Sequence, residues 1–136
     1  MSTGVAPAPV AITGYHAHIY FDPLTKAVAA ALREEIQRRF PVEMGRWWDR
    51  PIGPHPEPMY QVAFAVAEFQ RLVPWLMLNR GGLTILVHPS TGDDRADHAD
   101  YPMWLGRALT LRLAFFAELE AARGTLPKKP TTEAPA

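Results

Sequence analysis

Apolar residues recur along this 136-residue chain with two spacings, one of two residues and one of three or four. A spacing of two predicts β-strands, because successive side chains of a strand leave opposite faces of the sheet. A spacing of three or four predicts helices that bury one face. The pattern predicts strands at 14–21, 42–48, 59–65 and 83–88, and helices at 23–40, 68–80 and 101–123.

Two of the helices carry recognisable boundary signals. Asp22 is suited to be the N-cap and Pro23 the first residue of the first helix, and Pro41 ends it. One apolar stripe with a period of four is expected to face the sheet, and it consists of Leu24, Val28, Leu32, Ile36 and Phe40. In the second helix, Pro74 predicts a kink or a late start, and Gly81 is suited to end it.

The element order β-α-β-β-α-β, followed by a helix, is typical of a ferredoxin-like fold in the α+β class. Both crossover helices then cover one face of an antiparallel sheet. The helix predicted at 101–123 has more apolar surface than one stripe needs, so we expect it to pack on a second copy in a homodimer as well as on its own core. The domain is predicted to span 14–123, between disordered tails at 1–13 and 124–136.

Charge and cysteine content exclude several classes of partner and chemistry. Lys plus Arg equal Asp plus Glu at 14 each, which argues against nucleic acid or an anionic membrane as a partner. The chain has no cysteine, so a metal would be held by nitrogen and oxygen ligands alone. No secretory signal or stretch long enough to span a membrane is visible, and we expect a cytoplasmic protein.

Histidines are the residues most suggestive of function. His16 and His18 lie two apart on the first strand, so their rings leave the same face, opposite the apolar residues under the helices. His88 ends the fourth strand, which neighbours the first strand in a ferredoxin-like sheet. The topology therefore predicts that these three histidines converge. His55, in a proline-rich loop at 49–58, and His98, in the loop expected before the last helix, could join them.

Three histidines with other N and O donors suit Fe(II), Mn(II), Zn(II) or Ni(II). Several nearby carboxylates could complete the site, and the sequence does not choose among Glu57, Asp93, Asp94, Asp97 and Asp100. Trp47 and Trp104 are candidates to flank an aromatic substrate, and Arg80 to bind a carboxylate. Each of these residues also has a purely structural interpretation. Aromatic residues lie more often in the core, and an arginine, or a lone histidine on a strand, is often simply exposed to solvent.

Four motifs in order resemble the DOPA 4,5-dioxygenase family: YHAHIYFD at 15–22, GPHP at 53–56, LVHP at 86–89 and Asp97-His98 before Trp104. This resemblance implies an extradiol dioxygenase that uses non-haem Fe(II) and O₂ to open a catechol ring such as that of DOPA. It implies a ferredoxin-like, dimeric scaffold. The metal ligands would be His16, His18 and His88, with His55 and His98 as proton-transfer groups.

Two other functions use the same histidines. A zinc-dependent hydrolase or isomerase would activate water at the site. A dimeric binding module would sense a metal or a small aromatic compound without turnover.

Overall fold

The computed structural model describes residues 10–123, so residues 1–9 of the predicted tail at 1–13, and the whole predicted tail at 124–136, lie outside the described residues. These residues form five strands and four α-helices. In order they are β1 Gly14–Tyr20, α1 Lys26–Arg39, β2 Glu43–Trp48, β3 Met59–Phe64, α2 Phe69–Asn79, β4 Ile85–Ser90, α3 Asp94–Ala99, β5 Met103–Leu105 and α4 Ala114–Arg123. No helix in this range is both long and apolar enough to cross a membrane.

The strands form one antiparallel sheet in the order β2-β3-β1-β4-β5. The first four strands have the ferredoxin-like order, which confirms the predicted α+β fold with its C-terminal helix. β1 lies between β3 and β4, as the histidine argument required. The register places His16 directly opposite His88.

The helix-covered face of the sheet holds the main core. Ala17 and Ile19 of β1 pack there with Leu32 and Ile36 of α1 and Leu76 of α2, and all five side chains are buried. The other face carries His16, His18 and Tyr20. It is covered by a smaller apolar cluster, built around Tyr20, Met59 and Leu86 with Trp48, Ile52, Trp104, Leu109 and Leu111 packed against it.

The helix predicted at 101–123 is wrong in its first half. Met103–Leu105 instead adds an edge strand to β4, and Gly106 follows with φ 87°, a left-handed conformation that favours glycine. Regular helix begins only at Ala114. Leu105, Leu109 and Leu113 mimic a helical repeat in the sequence, but Leu105 packs in the core under the helices while Leu109 packs in the cluster on the histidine face.

The first helix begins later than predicted. The carboxylate of Asp22 accepts hydrogen bonds from the backbone N–H groups of Leu24 and Thr25, so it stabilises a turn, and α1 starts at Lys26. Leu24 consequently lies outside the helix and is 93% exposed, and Val28 is 42% exposed. The predicted stripe is therefore buried only in its second half, and Ala29 completes it.

Candidate metal centre

Two neighbouring strands supply three of the histidines. His16 and His18 project from β1 and His88 from β4, all on the face opposite the helices. The Nε2 atoms of His18 and His88 are 3.1 Å apart, and the ring centroids of His16 and His88 are 5.1 Å apart. The predicted convergence of the three rings is therefore observed.

The remaining two histidines reach the same place from outside the sheet. The loop at 49–58 folds over β1, which brings the ring centroid of His55 to 4.2 Å from that of His18. His98 lies in α3 and not in a loop as predicted, with its ring centroid 4.1 Å from that of His88. All five histidines of the chain thus form one histidine cluster.

Buried polar contacts hold the short helix α3 in position. The carboxylate of Asp93 caps it by accepting from the N–H of Ala96. The buried carboxylate of Asp97 accepts from both the backbone N–H and the hydroxyl of Thr91, at the end of β4. Asp97 therefore points away from the cluster and ties α3 to the sheet, which fixes the position of the neighbouring His98.

Two open cavities border the histidine cluster. His16 is 8% exposed, whereas the other four histidines are 2% exposed or less. An open cavity of about 560 Å³ is lined by His16 together with Ala63 and Glu43. A second cavity of about 570 Å³ touches His88, but its lining is almost wholly apolar. The cavity beside His16 is the more polar of the two, since Thr13, Ser90 and Glu43 also line it.

Burial keeps the imidazoles uncharged. It lowers the pKa of His16 to about 4, with a further contribution from His98, and that of His55 to about 3, with contributions from His98 and His16. Burial is also the main cause that lowers the pKa of His18, His88 and His98. At neutral pH the cluster offers neutral rings, which is the form in which histidine binds a metal.

Hydrogen bonds fix which nitrogen carries the proton in three of the rings. The Nδ1–H of His88 donates to the carbonyl of Pro89 at 2.8 Å, and that of His98 donates to the carbonyl of Asp94 at 2.7 Å. Because a carbonyl oxygen only accepts, both rings keep an Nε2 lone pair for the cluster. Such an outer contact commonly orients a metal-binding histidine.

His55 has the opposite arrangement. Its Nδ1 lies 2.7 Å from the hydroxyl of Tyr20, whose pKa is raised first by burial and then by Glu57. A buried phenol that keeps its proton donates it to the best acceptor in reach, so His55 Nδ1 accepts and His55 Nε2 carries the proton. His55 therefore presents a donor to the cluster and His98 an acceptor.

Two groups of three histidines are close enough to hold one ion: His16, His18 and His88, and alternatively His18, His55 and His98. Nitrogens bound to one ion at about 2.1 Å lie about 3.0–3.4 Å apart at ordinary bond angles, and the 3.1 Å between His18 and His88 fits this range. The protonated Nε2 of His55 weakens the second group. Both groups within residues 10–123 are made of histidine alone.

Of the three residues predicted from the sequence to contact the substrate, one lies on the histidine face and two do not. Trp104 lies on the histidine face, with its ring centroid 6.1 Å from that of Tyr20. Trp47 does not reach the cluster, because a β-bulge between Met44 and Trp47 turns it to the helix-covered face, where it stacks on Tyr60. Arg80 follows α2 on that same side and donates to the carbonyl of Met77. The structure therefore does not bring Trp47 and Arg80 together with the histidine cluster.

Sequence reasoning missed Tyr20 and Gln61. Tyr20 follows His16 and His18 in the same alternation, so its position facing the cluster was visible, although its contact with His55 was not. Gln61 lies opposite His18 on β3, is buried, and has no hydrogen-bond partner for its Oε1 atom. A glutamine between Met59 and Ala63 on the histidine face was the available signal.

The comparison with known proteins agrees with this geometry. A model of the Dopa 4,5-dioxygenase family matches residues 15–115, which include all five histidines. The chain belongs to this family. A crystal structure of a candidate dioxygenase from Nostoc punctiforme PCC 73102 is 58% identical with a TM-score of 0.78, covering 79% of this chain and 94% of that one.

Two curated fungal proteins are also similar to this chain. An uncharacterised 21.2 kDa protein of Botryotinia fuckeliana is 37% identical over an alignment 118 positions long, and the alignment covers 78% of this chain and 64% of that protein. The DOPA 4,5-dioxygenase of Amanita muscaria is 34% identical over an alignment 112 positions long, and the alignment covers 76% of this chain and 49% of that protein. The chain thus spans about half to two thirds of the length of these relatives.

Acid should destabilise the chelator-treated protein. Between pH 6.5 and about 4, the unfolded chain binds protons that the buried ring of His16 does not, so stability falls as pH falls. Within this range, each such histidine lowers the free energy of unfolding by about 1.4 kcal/mol for every unit by which the pH falls. Thermal unfolding measured between pH 7.5 and 5 tests this effect. The pKa values of Glu35 and Asp49 are lowered, so these carboxylates titrate below this range. A melting temperature that is constant over this range would contradict it.

Proposed function

We propose that this protein is a metal-dependent dioxygenase that opens a catechol ring beside its hydroxyl groups with O₂. Fe(II) is the proposed metal, with Zn, Mn or Ni as possible occupants after purification, and His16, His18 and His88 are the proposed ligands. The observation that carries the proposal is the 3.1 Å approach of two Nε2 atoms, with His16 beside them, inside a cluster of buried neutral histidines.

The residues fit the metal and the reaction. A bound Fe(II) ion would supply charge stabilisation for the deprotonated catechol and bring it together with O₂. Ring opening by a dioxygenase inserts both oxygen atoms of O₂ into the product as one ring carbon–carbon bond breaks. The ring supplies all the electrons that O₂ accepts, so no further cofactor is required.

His98 and His55 divide the proton transfers. A catechol must lose protons to bind a metal, and the free Nε2 lone pair of His98 is an acceptor inside the cluster. His55 carries a proton on Nε2 and can donate it to a developing oxyanion. Tyr20 positions His55, because its hydroxyl donates to Nδ1 and so fixes both the tautomer and the direction of the ring.

The proposed substrate is a small catechol such as DOPA. Trp104, on the histidine face and stacked near Tyr20, is proposed as an aromatic wall of the site. The homodimer stays a prediction. Only Phe116 is buried in α4, and that helix is the part of the predicted 101–123 segment that could still contact a second copy.

The reaction is tested with protein purified without oxygen, loaded with Fe(II) and mixed with DOPA and O₂. We expect uptake of one O₂ per DOPA and a yellow ring-fission product. Tyr20→Phe should lower turnover about 10- to 100-fold with unchanged metal content, because only the orientation of His55 is lost. Tyr101→Phe makes the same change at a tyrosine that is 46% exposed and does not line the cavity beside His16, so it is the matched control.

The alternatives give different results in the same experiment. Inactivity with Fe(II) together with zinc-dependent hydrolysis would replace the proposal with a hydrolase. Binding of DOPA without turnover under either metal would replace it with a binding module.

A further inference from the structure

The open cavity beside His16 contains one charged side chain. The rest of its lining combines small and apolar residues, among them Ala63 and Phe64, with the hydroxyl side chains of Thr13 and Ser90. Glu43 is the only Asp, Glu, Lys or Arg among the described residues that line it, and it forms no ion pair with another described residue. A ligand that fills this cavity therefore meets apolar and hydroxyl groups and one carboxylate that has no ion-pair partner among the described residues.

The strand register connects this carboxylate to the histidine cluster. Glu43 lies opposite Ala63, Ala63 opposite His16, and His16 opposite His88, so the four residues form one row across the histidine face. The Cα atoms of Glu43 and His16 are two strand spacings apart, about 10 Å. Between them stands only the methyl group of Ala63, which leaves an open floor at the edge of the cluster.

His16 connects this cavity to the histidine cluster. It is 8% exposed, lines the cavity, and its Nδ1 atom has no hydrogen-bond partner. A buried polar atom without a partner is uncommon in a folded protein and indicates that something else satisfies it. Between Glu43 and His16, two polar side chains thus flank the apolar Ala63.

We propose that Glu43 is a specificity-determining residue that selects catechols whose side chain ends in an ammonium group. This inference rests on the proposed function, since the ring must enter with its hydroxyl groups toward the histidines. The ring then covers Ala63, and a two-carbon side chain reaches Glu43. An ammonium group pairs with this carboxylate, whereas a carboxylate at the same position is repelled by it.

The test compares two ligands of the same ring and side-chain length. Dopamine ends in an ammonium group and 3-(3,4-dihydroxyphenyl)propionate in a carboxylate. Binding of each is measured by calorimetry without oxygen on protein loaded with Zn(II), so that no turnover occurs. We expect dopamine to bind about tenfold more tightly, a discrimination suited to a partly exposed charge pair, and the ratio to fall at high salt.

Variants separate the charge effect from other causes. Glu43→Gln should bring the ratio of the two affinities close to one. Ala63→Leu should weaken both ligands together, because it fills the floor of the cavity. Glu34→Gln removes the same charge from an exposed position on α1, on the opposite side of the sheet, and should leave the ratio unchanged.

The outcomes distinguish the two proposals. Equal binding of both ligands to the unaltered protein, or a ratio that Glu43→Gln leaves unchanged, overturns the role of Glu43 but leaves the catechol site standing. Failure of both ligands to bind any metal-loaded form overturns the catechol site and this role together.

Discussion

Replacing His88 with alanine is expected to remove most of the bound metal while the fold is retained. His88 contributes one of the two Nε2 atoms that lie 3.1 Å apart, and its Nδ1–H is already committed to the carbonyl of Pro89. Losing an outer-shell partner of a ligand typically costs 10- to 100-fold in affinity, so losing a ligand should cost at least about 100-fold. Metal analysis of the purified variant, with circular dichroism for the fold, measures this.

A matched series decides which three histidines bind. His16→Ala should lose metal as His88→Ala does. His55→Ala removes an equally buried ring from the same cluster but should keep the metal and lose turnover, because His55 presents a proton and not a lone pair. If His55→Ala and His98→Ala lose metal while His16→Ala and His88→Ala retain it, the ion is held by the alternative group of His18, His55 and His98.

Leu76→Ala should destabilise the fold by about 2–5 kcal/mol, because it opens a cavity under the sheet. Leu76 is fully buried in the main core, against the strand that carries His16 and His18 on its other face. Chemical denaturation measured by fluorescence gives the free energy of unfolding. The midpoint should shift to lower denaturant concentration with little change in the slope.

Leu78→Ala is the control for this prediction. It makes the same chemical change two residues further along α2, where the side chain is 85% exposed. Its effect on the free energy of unfolding should stay within about 0.5 kcal/mol. Equal effects of the two substitutions would mean that α2 does not pack on the sheet as described, and the support for the histidine face would have to be revised.

The convergence of His16, His18 and His88 could be predicted from the sequence. Alternation along β1 assigned the two histidines to one face, because side chains of a strand alternate strictly. The order of strands and helices then made β4 the neighbour of β1. Both steps use only the spacing of residues and the order of elements along the sequence. Neither step required a distance between atoms of different strands.

The faces of β2 and the end of the chain could not be predicted in this way. A β-bulge adds one residue between Met44 and Trp47, so every side chain after it changes face, and Trp47 leaves the histidine side. A three-residue strand such as Met103–Leu105 has too little sequence pattern to be distinguished from a helix. Its pairing with β4 identifies it, and that pairing is a long-range contact.

The chain's own pattern therefore determined the first four strands, their order and the face on which three imidazoles meet. Only the tertiary structure decided that Tyr20 donates to His55, that Asp97 holds α3 through Thr91, and that Glu43 shares a row with His16. The physical reason is the range of the interactions. Periodicity reports how each residue relates to its sequence neighbours, whereas these contacts depend on how loops close and how strands are registered across the sheet.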